Sequence, residues 1–356
     1  MNDNIIIMLS AENPPLLHDI YRWGIEVIKV IQKIESPVLT AVVKFITALG
    51  TEALYIPLIV FIFWWIDEKQ GLRFGILLVM SAWINLVIKD VLKQPRPFNF
   101  EPALGLASEP TYGAPSGHAQ NSLVFWIPVA AWLSQKWANI NAGQEPEKGQ
   151  LRKKVIIWIS AIVLLLLIGF TRLYLGVHFP TDLFLGWFIA GIILVIWFIP
   201  GPRLEALISS AGTRYQNIIA AVIALVMNGL FPKDRSFPAL LLGFCIGYTL
   251  MKSKFPFEAR GKINGENPHI KIMFLRCFMG FLGLAVIYMG LRLIFPGEGS
   301  LFHSIPLWGA GSPFYEIGRF VRYGLLGLWA SAGAPMIFMQ MGIAEKSVGS
   351  NGGENS

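Results

Sequence analysis

Three short stretches of this chain hold residue types that can do chemistry together. In "TRLYLGVHFPTD", Arg172 is followed by His178 and, four residues on, by Asp182. Pro180 suits the first turn of a helix, so His178 stands just before that helix and Asp182 within its first turn. A carboxylate at that spacing can accept a hydrogen bond from one imidazole nitrogen and leave the other aimed outward, which makes a directed nucleophile or base. In "YGAPSGHAQNS", Ser116, Gly117 and His118 open a long apolar run. A helix start offers free N–H groups and partial positive charge to an anion. Gly117 lets backbone approach a ligand, Ser116 adds a hydroxyl, and His118 can carry or release a proton near neutral pH. In "KDVLKQPRP", Lys89 and Arg96 lie seven residues apart, about two helical turns, with Pro95 placed to end the helix.

Each stretch also has an ordinary structural reading: cations snorkelling at a helix end, a serine cap, a histidine at an interface. Taken together they supply three cations, a hydroxyl, two histidines and a carboxylate. Fixed cations and backbone N–H groups suit a phosphate dianion and the charge spread over a phosphoryl group in transfer. Two histidines divide the remaining work between attack and protonation of the leaving oxygen. No Cys/His array or carboxylate cluster suggests a metal site, and no cofactor is expected.

The ordered set resembles the type 2 phosphatidic acid phosphatase family, kin of the bacterial acid phosphatases and vanadium haloperoxidases. The family pattern K-x6-R-P, P-S-G-H, S-R-x5-H-x3-D reads here as Lys89–Arg96–Pro97, Pro115–Ser116–Gly117–His118 and Arg172–His178–Asp182. Thr171 stands where the family usually has serine; it keeps the hydroxyl and adds a methyl. The match covers roughly residues 50–205. It implies that His178 attacks phosphorus to give a phosphohistidine, that Asp182 orients it, and that His118 protonates the departing alcohol and then assists water. It further implies that Lys89, Arg96, Ser116, Gly117 and Arg172 hold the phosphate oxygens.

The elements that must position these residues are membrane helices. The chain is 54% hydrophobic and only 14% charged, against about 25% charged in soluble domains. The expected fold is all-α: a polytopic helical bundle with a phosphatase-type core and about four further C-terminal spans. Spans of about 20 apolar residues are expected at 52–66, 71–92, 118–137, 153–175, 181–200, 214–231, 236–252, 271–294 and 314–340. Residues 1–50 form an N-terminal segment containing an amphipathic helix, with Leu17, Ile20, Trp23, Ile25, Val27, Val30 and Ile31 as its apolar positions, expected to lie in the membrane interface. Residues 51–205 form the core, 206–345 the additional membrane region and 346–356 a disordered tail.

The net charge of +7 gathers in short loops between apolar runs, which argues for membrane orientation rather than nucleic acid. Lys69, Arg73, Lys148, Arg152, Lys153, Lys154, Arg203, Arg214 and the basic residues of 252–271 mark the cytoplasmic side. The three stretches then face outward or to the periplasm, in a plasma (inner) membrane protein. Cys245 and Cys277 lie in apolar runs and read as small hydrophobes. His18, His269 and His303 read as surface residues. Arg319 and Arg322 start the last span on its outer side, where snorkelling or a lipid headgroup contact would accommodate them. The reading is an integral membrane phosphatase acting on a lipid phosphate held at the helix mouths. Its rivals are a phosphotransferase, in which another acceptor replaces water, and a transporter or scramblase that only binds. The extra helices are candidates for shaping substrate entry or for homo-oligomer contacts.

Overall fold

The computed structural model describes residues 15–140, 148–296 and 300–346, apart from 303, 306, 310, 311 and 313; His303 and all of the expected tail but its first residue lie outside the described residues. The helices are α1 Pro15–Gln32, α2 Pro37–Ala48, α3 Glu52–Phe61, α4 Glu68–Leu92, α5 Pro97–Phe100, α6 Gly117–Ile140, α7 Lys148–Tyr174, α8 Pro180–Phe198, α9 Gly201–Ser210, α10 Thr213–Leu230, α11 Ser236–Lys254, α12 Ile270–Ile294, α13 Tyr315–Leu328 and α14 Ala334–Gln340. Single π turns follow α3 (Ile62–Ile66) and α13 (Trp329–Gly333). The fold is all-α, with one isolated bridge, Ile263 to Glu266, among the described residues.

Five helical stretches among the described residues are long and apolar enough to cross a bilayer: Glu68–Phe100, Leu151–Tyr174, Pro180–Phe198, Ser236–Lys254 and Ile270–Ile294. Pro37–Ala48 with Glu52–Ile66, bent by 44°, makes a sixth if the pair is one span. Three expected spans differ. The stretch 118–137 lies in α6, whose first turns carry His118, Gln120, Asn121 and Ser122. The stretch 214–231 lies in α10, an 18-residue helix containing Arg214, Gln216, Asn217 and Asn228. The stretch 314–340 is broken by the π turn between α13 and α14. The exposed Ile159, Val163 and Leu166 on α7 and Phe188 and Val195 on α8 form the kind of apolar exterior that only lipid can cover.

The chain forms two compact units: residues through Tyr55 with Ser81–Ile199, and Ile56–Met80 with the residues from Pro200 on. In the first, α6 packs against α7 and α8. The loop between α7 and α8 is held from outside by α1 and α2. Tyr21 and Ile28 of α1 are buried against Leu104 and Phe179. Val43 of α2 is buried against Tyr174, Leu175 and Val177. Gln32 donates to the carbonyls of Leu104 and Tyr174 at 2.9 and 2.8 Å, and the Thr40 and Tyr174 hydroxyls are 2.9 Å apart. The buried stripe of α1 is therefore Tyr21, Gly24 and Ile28, whereas Trp23 and Val30 stay exposed. The helix forms as expected, but one face serves as a brace on the α7–α8 loop.

In the second unit, α11 and α13 cross with backbones in contact: a methyl added at Gly243 would meet the Gly324 carbonyl, and one at Gly327 would come within 2.5 Å of the Leu240 carbonyl. Small residues permit such crossings between apolar helices. Trp64 donates to the Ala330 carbonyl at 2.8 Å, at the π turn. Buried Arg276 ties α12 to the Ala259 and Ile343 carbonyls, both at 2.7 Å. Arg319 pairs with Asp234 at 2.8 Å and lies 3.8 Å from Glu316. Cys277 is buried and Cys245 partly so, both as free thiols.

Gly176 fixes the turn that leads into His178. Its φ of +66° is left-handed, and an added methyl would sit 1.9 Å from the Leu104 carbonyl oxygen. Gly176→Ala combines left-handed strain of about 1–2 kcal/mol with that clash. The expected outcome is a lower thermal midpoint in detergent and reduced activity; an unchanged midpoint would show that the turn does not depend on glycine.

Candidate active site

All eight sequence-predicted site residues belong to the first unit. Lys89 comes from the last turn of α4, and its buried ammonium donates to the Tyr112 and Gly113 carbonyls at 2.6 and 3.0 Å. The helix ends at Leu92, so Arg96 reaches the site from extended backbone before α5 rather than by continuing the helical face. Its guanidinium is anchored by the Thr111 carbonyl at 2.7 Å, the Val177 carbonyl at 2.8 Å, and the Thr111 hydroxyl and Tyr112 carbonyl at 3.1 and 3.0 Å. Arg172, in the last turn of α7, donates to the Thr47 hydroxyl of α2 at 2.6 Å.

Pro180 starts α8, which places Asp182 at its third position, where a carboxylate can turn back on the preceding backbone. One oxygen accepts from the Phe179 N–H at 2.9 Å and lies 3.2 Å from His178 Nδ1; the other accepts from Gln94 at 3.1 Å. On the far side of the ring, Arg96 lies 3.2 Å from His178 Nε2. Guanidinium has no acceptor. This contact therefore requires a lone pair on Nε2 and places the proton on Nδ1, directed at Asp182. The imidazole is held in the tautomer that keeps Nε2 nucleophilic.

Ser116 precedes α6. Its N–H donates to the Asp182 carbonyl at 2.9 Å, and its hydroxyl accepts from the Ala119 N–H at 3.4 Å, so it acts at least as a cap. A methyl on Gly117 would stand 3.2 Å from Asn85 Oδ1, and Asn85 donates to the Pro115 carbonyl at 3.3 Å and to Gln120 at 2.9 Å. His118 lies in the first turn of α6, beside Gly50. The Thr171 hydroxyl donates to the Ile168 carbonyl in its own helix at 2.6 Å; in this structure it serves α7.

Sequence reasoning missed Glu109. Its carboxylate pairs with Arg96 at 2.8 Å and with Arg172, and lies 3.8 Å from His178 Nε2. Gln94, Thr111 and Thr47, which orient Asp182 and the arginines, were also missed. The hint in the chain is an acid, Glu109, placed seven residues before Ser116.

Residues 70–203 match the PAP2 superfamily, and residues 236–346 match the PAP2 superfamily phosphatase transmembrane extension. Phosphatidylglycerophosphatase B of Bacillus subtilis is 32% identical over 45% of this chain and 74% of its own length. Undecaprenyl-diphosphatase of Sulfolobus acidocaldarius is 31% identical over 46% of this chain and 72% of its own. Human sphingosine-1-phosphate phosphatase 2 is 25% identical over 84% of this chain and 77% of its own.

Burial, and then the charges of Arg172, Arg96 and Lys89, hold the His178 proton affinity well below the ordinary histidine value. The sign follows directly: on acidification the unfolded chain takes up a proton at this imidazole near pH ~6.5, while the folded chain does not. Its contribution to stability is intact above that pH and declines as pH falls below it. In detergent-solubilised protein, the 15N shifts of His178 are expected to keep the neutral Nδ1–H pattern as pH falls through ~6.5. Protonation of His178 in that range would contradict the bracketed tautomer.

Proposed function

Because the chain belongs to the PAP2 superfamily of membrane phosphatases and is a phosphatase of lipid phosphates, we propose that its first unit hydrolyses the phosphomonoester or pyrophosphate of a lipid through a phosphohistidine at His178, on the outer face of the membrane. The observation that carries this reading is the bracketing of His178, with Asp182 at Nδ1 and Arg96 at Nε2. An imidazole so held cannot rotate away, and its Nε2 lone pair is directed at Arg96, one of the two arginines that would grip the phosphate.

In the first step Nε2 forms a bond to phosphorus, and the bond from phosphorus to the lipid oxygen breaks. His118 gives its proton to that oxygen, releasing the lipid alcohol, or the shortened phosphate from a pyrophosphate. Asp182 stabilises the imidazolium that forms. In the second step water attacks phosphorus, His118 takes its proton, and the P–N bond breaks to release inorganic phosphate. Arg96, Arg172, Lys89 and the Gly117 N–H stabilise the equatorial oxygens in both steps. The lipid chains remain in the bilayer while the headgroup enters the cup. The named activities of the relatives, on phosphatidylglycerophosphate, undecaprenyl diphosphate and sphingosine 1-phosphate, support a lipid with a terminal phosphate as substrate.

His178→Ala is expected to abolish release of labelled phosphate from a lipid phosphate while the protein still reaches the membrane; full retained release would refute the assigned nucleophile. Wild-type protein quenched in alkaline detergent should carry label that is stable to base and lost in acid, and this variant should lack it. His118→Ala is expected to cost about 10²–10⁴-fold in kcat, and less with an aryl phosphate, whose leaving group needs no proton. Label passing to an added alcohol lipid in place of water would reassign the protein as a phosphotransferase. For sidedness, Tyr112 is exposed in the loop before α6. Tyr112→Cys in intact cells is expected to react with a membrane-impermeant maleimide; labelling only after lysis would place the site on the cytoplasmic face.

A further inference from the structure

The carboxylate of Glu109 occupies the place that the proposed mechanism reserves for phosphate. It meets Arg96 at 2.8 Å and Arg172 at the same time, and stands 3.8 Å from the nucleophilic Nε2 of His178. A reacting phosphorus would sit about 3–3.5 Å from that nitrogen. The carboxylate and a phosphate therefore compete for the same donors and the same space. The arginine side chains are only 2–3% exposed and that of His178 1%, whereas Glu109 is 25% exposed. The carboxylate is therefore the solvent-reaching member of the group, and the cations and the ring it contacts lie behind it.

We propose that Glu109 is a built-in competitor for substrate: a displaceable stopper that neutralises the empty cup and must swing outward before a phosphate can enter. This rests on the reading of the cup as the phosphate site. Two buried guanidinium groups without an anion would repel each other and lose solvation. Glu109 removes that penalty in the resting state, at the expense of affinity for every incoming anion, and its return to the arginines helps expel the inorganic phosphate product. A purely structural clamp would act in the opposite direction. Without it the arginines would splay apart, and anion binding would weaken. The sign of the effect separates the two roles.

The test is calorimetric titration of detergent-solubilised full-length protein with inorganic phosphate, compared with Glu109→Gln. The variant is expected to bind phosphate about tenfold more tightly or better, as loss of a charged internal competitor implies, with KM for a lipid phosphate lowered in parallel and product inhibition strengthened. Equal or weaker phosphate binding by Glu109→Gln overturns the proposal and leaves Glu109 a clamp. Should that variant fail to fold, Glu109→Asp serves instead. It keeps the loop charge but withdraws the carboxylate by one methylene, and tighter binding than wild type is again expected, with no gain counting against the proposal. Failure of wild type and every variant to bind phosphate at all would instead overturn the cup itself, and with it the functional reading on which the stopper rests.

Discussion

The structure depends on keeping like charges together where water is scarce. Lys89, Arg96 and Arg172 are all buried, and each perturbs the proton affinity of His178 through its charge. Burial of one such group is costly unless its donors are satisfied, and several of them also repel. The solution lies mostly in backbone. The carbonyls of Thr111, Tyr112, Gly113 and Val177 accept from Lys89 and Arg96, so two loops turn backbone oxygens toward the cations. Those same bonds fix where the cations point.

This explains why so much of the first unit is devoted to bracing loops. The turn from α7 to α8 brings Val177, His178 and Phe179 together, all buried. It is sealed by α1 and α2 through Tyr21, Ile28 and Val43, with Gln32 satisfying carbonyls on both sides of it. A ladder of Ser81 and Asn85 on α4, Gln120 and Asn121 in the first turns of α6, and Glu52 at the start of α3 carries hydrogen bonds between these helices. Polar groups at such depth are expensive. Here they hold the turn at Pro115–Gly117 by way of Asn85, so the helix start keeps its N–H groups aimed at one place.

What the sequence revealed, and what it hid, follows from the range of each interaction. The His178–Asp182 pair lies within one helical turn, and Pro180 marks the helix start, so chain spacing alone anticipates their contact. The residues gathered around His178 were legible as three motifs because each motif is local. Glu109 was not, because its partners Arg96 and Arg172 lie on other elements and a single loop acid has no periodicity. The stripe of α1 that packs on the protein was hidden for a related reason: Gly24 faces inward because Phe179 approaches it closely, within 2.6 Å of where a methyl would be, and hydropathy assigns a glycine to no face. Likewise α13 and α14 read as one apolar run. The π turn between them comes with Trp64 and Trp329 bonding to the Ala330 and Gly280 carbonyls, contacts set by helices far away in sequence.

The placement of proton and lone pair on His178 shows how binding and chemistry are joined. Arg96 can donate to Nε2 only while that nitrogen is unprotonated and unbonded. In the proposed mechanism, the bond from Nε2 to phosphorus would take this acceptor from the arginine at the moment that new negative oxygens arrive beside it. The hydrogen bond released would become available to the transferring group, without reorganisation of the carbonyls that hold the guanidinium from behind. Asp182, fixed by the Phe179 N–H and Gln94, would hold the imidazolium proton on the other side. A lysine in place of Arg96 could supply the charge but not the planar fork that reaches the Val177 carbonyl, Thr111 and the imidazole together. The geometry requires a guanidinium at this position.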